Sequence, residues 1–143
     1  MISDELQAII VQLKKHGDKN MHFITPATKE QIEAFEKEND IVLPEKYKEW
    51  LQFSDGGECF LPGGVQLYGV HQKPIIDVHY DDRPNDNYIV IGALSNGDPI
   101  IFEKGKEEIS FYNHVAGRIE DDETYKDFFD FLKDLYNALG IGG

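Results

Sequence analysis

Hydrophobic residues along this chain recur first at helical and then at strand spacing. Leu6, Ile9, Ile10 and Leu13 lie on one helical face, which predicts a helix from Asp4 to His16. Ser3 stands where a cap belongs, Asp4 and Glu5 fill the first turn, and Gly17 supplies the stop. Thr28 and Gln31 have the spacing of a capping box. They open a second helix that runs to about Asn39 with Ile32 and Phe35 facing inward. In LPEKYKEWLQFSDGGE, Leu43 to Glu58, Pro44 suits a first helical position. Tyr47, Trp50 and Leu51 follow at i, i+3 and i+4, flanked by Phe53, and Gly56 or Gly57 is expected to end this short helix.

Past Glu58 the pattern becomes that of strands. Val65 to Tyr68 alternates, Ile75 to Val78 is a shorter candidate, and Tyr88 to Leu94 is apolar enough for burial on both faces. Ser95 to Asp98 contains Asn-Gly, a hairpin dipeptide. Pro99 to Glu103 returns, Lys104-Gly105 turns, Ile109 to Tyr112 forms the next strand, and Asn113 to Gly117 is a turn or a short extension. Finally Tyr125, Phe128, Phe129, Leu132, Leu135, Tyr136 and Leu139 make a sustained helical stripe. Thr124 and Asp127 are the expected cap and Gly140 the stop. The expected fold is α+β: an antiparallel meander flanked by N-terminal helices and a long C-terminal helix. Residues 1–143 read as one domain without repeats or a linker.

Charge changes the picture more than composition does. Asp and Glu outnumber Lys and Arg by 27 to 14, a net charge of −13. Nucleic acid and anionic membranes are disfavoured, because both need cations on the protein. A basic protein partner would be attracted and steered in; plain solubility explains the same acidity, and both readings stay open. The start MISDELQ has no basic region followed by an apolar run, and no stretch reaches the ~18–20 apolar residues that span a bilayer. The expected location is cytoplasmic. Cys59, the single cysteine, has no intrachain disulfide partner and reads as a passive small residue.

Candidate chemistry is sparse. GxSxG, HExxH, CxxC and the glycine-rich phosphate loops are missing from the sequence. Gly56-Gly57 follows a helix, whereas a phosphate loop needs its glycines before one. His16, His22, His71, His79 and His114 are scattered. Asp77, His79, Asp81, Asp82 and Asp86 could ligate a divalent metal, but their spacing is not that of an EF-hand, and the segment reads as a polar surface loop. Asp98 reads as a turn residue and His114 as a strand-end residue. Glu120, Asp121, Asp122 and Glu123 precede the last helix, where carboxylates oppose the positive end of its dipole. Asp127, Asp130 and Asp134 interleave with the apolar stripe and mark its solvent side. With Asp77, Asp81, Asp82 and Asp86 they offer a recognition surface for a basic partner, and Phe131, off the main stripe, is expected there as a partly exposed aromatic anchor.

The run ITPATKEQIEAFEKENDIVLPEKYKEWLQFSDGGE resembles the opening of SUKH superfamily domains, the group that includes the yeast Smi/Knr cell-wall-synthesis regulators. The matching residues are Leu43-Pro44, Tyr47, Trp50-Leu51 and Ser54-Asp55-Gly56-Gly57. Leu67-Tyr68-Gly69, Ile91-Gly92, Gly97-Asp98, Ile100-Ile101-Phe102 and Thr124 to Phe128 extend the likeness, which covers residues 24 to 136. The resemblance implies a sheet flanked by helices and a non-enzymatic role without catalytic residues, cofactor or metal. Bacterial members look like immunity proteins that bind a cognate toxin, often a nuclease, and fungal members look like signalling scaffolds. An antidote to a basic toxin is therefore the leading expectation. A scaffold for an endogenous partner and a metal-dependent hydrolase built on the Asp77–Asp86 loop are the alternatives.

Overall fold

The computed structural model describes residues 3–17, 22–59, 65–71, 87–94, 97–113, 115–119 and 124–138. Helix α1 spans Asp4–Gly17 and buries Leu6, Ile9, Ile10 and Leu13. Ser3 caps it: its hydroxyl accepts the Leu6 N–H at 3.3 Å and its carbonyl accepts that of Gln7 at 3.0 Å. Helix α2, Lys29–Asn39, opens with both bonds of the capping box, Gln31 N–H to Thr28 Oγ1 at 3.1 Å and Thr28 N–H to Gln31 Oε1 at 2.8 Å. Its inward residues are Ile32 and Phe35, and Asp40 ends it in the left-handed region at φ 53°.

Helix α3, Glu45–Leu51, is one residue shorter at its start than expected, because Pro44 sits at the cap rather than inside. Proline has no side-chain acceptor for the first N–H groups. Glu107, from the connection that follows Glu103, does that work instead: its carboxylate accepts the Glu45 N–H at 2.8 Å and the Lys46 N–H at 3.3 Å. Seven residues are too few for a helix to persist alone in water. Packing holds it, since Tyr47, Trp50 and Leu51 are completely buried.

Six strands follow: β1 Gly57–Cys59, β2 Val65–Leu67, β3 Tyr88–Leu94, β4 Pro99–Glu103, β5 Ser110–Asn113 and β6 Arg118–Ile119. They are ordered β1-β2-β3-β4-β5-β6 and each pairs antiparallel with its neighbour, so the sheet is a meander throughout. Strands β1 and β6 were not expected, being three and two residues long. The Ile75–Val78 candidate, Ser95, Asn96, Leu139 and Gly140 lie outside the described residues. The outer side of β1 is closed at one point by His22 and Glu58, which exchange N–H···O bonds of 2.8 Å.

Strand alternation sorts the core. Ile89, Ile91, Ile100, Phe102 and Phe111 join the apolar sides of all four helices in one cluster. Val90 and Ile101 oppose each other on the other face and are also buried, as the unbroken apolarity of YIVIGAL implied. Phe128 sits at the meeting of two aromatic groups. Its ring lies edge-on to Tyr47 at 4.7 Å and to Trp50 at 6.0 Å, and 5.6 Å from Phe131. Each edge-to-face pair adds about 0.5–1.5 kcal/mol beyond area burial.

The last helix corrects the expectation. Helix α4 is Phe128–Ala138, eleven residues, and begins three residues after Tyr125. Tyr125 belongs to the sheet, exchanging backbone bonds of 2.9 and 2.8 Å with Ile109. Asp127 caps the helix, accepting the Asp130 N–H at 2.9 Å, while the Thr124 hydroxyl lies 3.4 Å from that of Ser110. Among the described residues no helix is long and apolar enough to cross a membrane.

A surface clasp joins three helices. Glu5 of α1 accepts from Lys133 of α4 at 2.8 Å and lies 3.7 Å from Lys46 of α3. The hydrogen bond and charge of Lys133 hold the Glu5 pKa below the usual carboxylate range. The stability this contributes is complete above the unfolded pKa of about 4.3 and is lost as pH falls through the lowered folded value. Glu5→Gln should therefore melt below wild type at pH 7, converge with it as pH falls through the lowered Glu5 pKa, and lose the difference in 1 M salt. Thermal scans across that range check this.

Candidate functional site

Trp50, Ser54 and Asp55 are drawn into one knot by the connection after α3. The helix ends at Leu51 with Gln52 right-handed, so neither glycine of Gly56-Gly57 caps it, contrary to expectation. Both do take positive φ, 92° and 115°, but for a different purpose. They bring the chain edge-on against β2 and the 22–24 segment. A Cβ on Gly56 would lie 2.6 Å from the Leu67 carbonyl oxygen, and one on Gly57 would lie 2.8 Å from that of His22. No phosphate-binding role is needed to explain the pair.

Side chains then satisfy what this tight turn buries. The Trp50 indole donates to the Gly56 carbonyl at 3.0 Å, and the Ser54 hydroxyl donates to the same oxygen at 2.8 Å while accepting the Ile24 N–H at 2.9 Å. Asp55, 2% exposed, accepts the Val70 N–H at 2.7 Å and the His71 N–H at 3.1 Å. Its second oxygen also lies 3.2 Å from His71 Nδ1. Gly69 lets the two segments meet, since a Cβ there would fall 2.3 Å from Asp55. Tyr47 completes the knot by donating to the Tyr68 carbonyl and, at 3.2 Å, to that of Ile91. A buried carboxylate with a half-exposed imidazole is a familiar catalytic pairing, but here both Asp55 oxygens are spent on backbone N–H groups. Its work is to hold β2 to the end of α3.

The acidic residues singled out in the sequence fare differently. Asp77, Asp81, Asp82 and Asp86 lie outside the described residues, as do Glu120, Asp121 and Asp122, so the metal-loop reading falls there too. His79 and His114 also lie outside them. Among the described residues no group of three or more His, Cys, Asp or Glu side chains is placed to hold a metal ion. Asp127, Asp130 and Asp134 do share α4. Asp127 is the cap, Asp130 is half-buried in the first turn, and Asp134 is exposed and accepts the Tyr125 hydroxyl at 2.7 Å. Asp98 closes the β3–β4 hairpin through its carbonyl, which accepts the Leu94 N–H at 2.9 Å.

Phe131 is a correction. It is 2% exposed and is no surface anchor. Its ring lies 5.8 Å from Phe111 and 5.7 Å from Tyr125, both edge-on. With Tyr125 in the sheet rather than on α4, β5 and Tyr125 form a wall beside the helix and cover its flank. The inward arc of α4 therefore widens to roughly 160°, counting 100° per residue from Phe131 round to Phe129.

This order of elements, with the Ser-Asp-Gly-Gly turn between α3 and the sheet, defines a class of small α+β domains. The chain belongs to the SMI1/KNR4 family (SUKH-1), whose model it matches over residues 26–134. That family includes immunity proteins, and its members commonly bind toxin partners. The chain is also similar to a Bacillus subtilis (strain 168) protein, "Uncharacterized protein YnaB", with 27% identity over 125 residues, 82% of this chain and 84% of the other.

Removing the Asp55 carboxylate should take the acceptor from the Val70 and His71 N–H groups. Asp55→Ala is expected to cost about 2–4 kcal/mol, against about 1 kcal/mol for removal of the Asp127 cap by Asp127→Ala. Urea unfolding followed by the fluorescence of Trp50, the single tryptophan, measures both. Equal costs would show that the knot matters no more than an ordinary cap.

Proposed function

We propose that this protein is an immunity-type binding protein that associates with a cognate toxin of basic, nuclease-like character and blocks it. The observation that carries the reading is membership of SUKH-1 in a chain of net charge −13. A nuclease must present cations to the phosphates it cleaves. An acidic partner competes for those cations without needing catalytic groups of its own. Attraction between opposite net charges also speeds encounter, which matters for an antidote that must act before damage accumulates.

In this reading the carboxylates act together as a steering surface. Asp77, Asp81, Asp82 and Asp86 form one group, Glu120, Asp121 and Asp122 a second, and Asp127, Asp130 and Asp134 of α4 a third. Asp127 and Asp134 already serve the fold, so their contribution is long-range field rather than direct contact.

The test is co-expression with the C-terminal domain of a large secreted protein encoded beside this gene. The pair is expected to co-purify, the domain's nuclease activity to disappear, and the association rate to fall steeply between 50 and 500 mM salt. Asp81→Lys combined with Asp82→Lys should slow association about tenfold at low salt and leave dissociation nearly unchanged. Absence of binding to any basic domain at low salt would sink the reading. An unchanged on-rate in the double variant would remove that loop from it.

A further inference from the structure

A cleft of about 180 Å³ opens among Tyr88, Glu103, Glu108, Ser110, Ile119 and Thr124, together with Lys106. Ser110 is the register partner of Ile101, so the cleft lies on the sheet face turned away from the main helical core. Given about 30 Å³ for a water-sized group, it has room for a guanidinium or ammonium head and its last methylenes. Its charges are unequally committed. Glu103 accepts the Tyr88 hydroxyl at 3.3 Å and pairs with Lys106 at 3.5 Å. Glu108 is exposed and, among the described residues, has no hydrogen bond or ion pair. The cleft between α2 and α3 differs in this respect. There Glu36 and Glu45 hold Lys48 at 3.3 and 3.0 Å, and Lys29 faces Glu33 at 4.0 Å. Burial works against the Lys48 charge, yet those carboxylates outweigh it and raise the Lys48 pKa.

The hairpin that supplies Ile119 adds an independent feature. Tyr112 stands opposite Ile119 in the β5–β6 register. Asn113 builds the turn beyond them, its side-chain oxygen accepting the N–H groups of Val115 at 3.1 Å and Ala116 at 2.9 Å, and its carbonyl that of Gly117 at 2.7 Å. This fixed turn presents Val115 at 86% exposure, against 61% for Val11 and 63% for Val42, the other exposed large apolar residues described. A preordered apolar tip loses little conformational freedom on binding.

We infer that this face is where a basic protein partner docks. A lysine or arginine of the partner enters the cleft beside Glu108, and Val115 meets an apolar patch next to that cation. The inference rests on the toxin-binding reading and gives that reading a contact surface. Tyrosines at its edge suit this role, since they offer broad contact with little rotamer entropy.

Two measurements test it. In the first, the ¹⁵N-labelled protein is titrated with L-argininamide, and saturable shifts are expected at Glu108, Ser110 and Ile119. Glu108→Gln should weaken them about threefold or more, and Glu33→Gln on α2 should not. Shifts no larger there than along α2, or no saturation, would overturn the cleft. In the second, Glu108→Lys with Val115→Ser is compared with Glu33→Lys and Val42→Ser, which makes the same chemical changes elsewhere. Against the toxin domain the first pair should lose about tenfold or more in affinity and the second pair about twofold or less. Equal losses would overturn the docking face and leave the toxin reading intact. Failure of the wild-type chain to bind the toxin domain would instead overturn the toxin reading, and the argininamide map would then decide whether the cleft takes cations.

Discussion

A carboxylate kept out of water constrains this fold more than any other group. Asp55 is 2% exposed, and a buried polar group left without hydrogen-bond partners costs several kcal/mol. The chain meets that cost by aiming the N–H groups of Val70 and His71 at it. Those donors exist only if β2 runs back past the end of α3, and Gly69 and Gly56 are what let the two backbones come close enough. The same turn brings the Gly56 carbonyl to the Trp50 indole, which fixes the ring at the head of the aromatic cluster. Helix end, first hairpin and core are thereby set by one polar knot.

Much of this was legible in the residues because it obeyed local rules. The capping box at Thr28 and the alternation of β3 and β4 needed no tertiary information. The rest depended on partners distant in the chain. Pro44 suits a first helical position by local rules, because nothing local reveals that Glu107, more than sixty positions away, accepts the first N–H groups of α3 and leaves Pro44 at the cap. Tyr125 fitted the helical stripe by spacing, yet Ile109 took its backbone bonds. That single exchange also put Phe131 beneath a wall of aromatics, so the one apolar member of the expected surface belongs to the core. Strand β6 is two residues long, too short for any periodicity to show. Glu108 carried no signal of its own. Only its place beside a cleft, with its neighbours' charges already paired, distinguishes it from the other carboxylates.

Family membership and charge act at different levels in the functional reading. The residues that mark the family are turn, cap and core positions, and they explain why the domain folds as it does. In the proposed reading, recognition comes from side chains that the fold leaves uncommitted, and in an acidic chain many of these are carboxylates. A division follows between a frame that is chemically demanding and a surface that is chemically permissive.

The two ends of the sheet give that division a further consequence. One is met by the His22–Glu58 bridge, and the other terminates in two residues of β6. Among the described residues neither end offers a long ribbon on which a foreign strand could zip through its backbone. Backbone pairing reads shape alike in every sequence, whereas contact through side chains reads identity. A domain built this way can change its choice of partner one surface residue at a time while its hydrogen-bonded skeleton stays as it is.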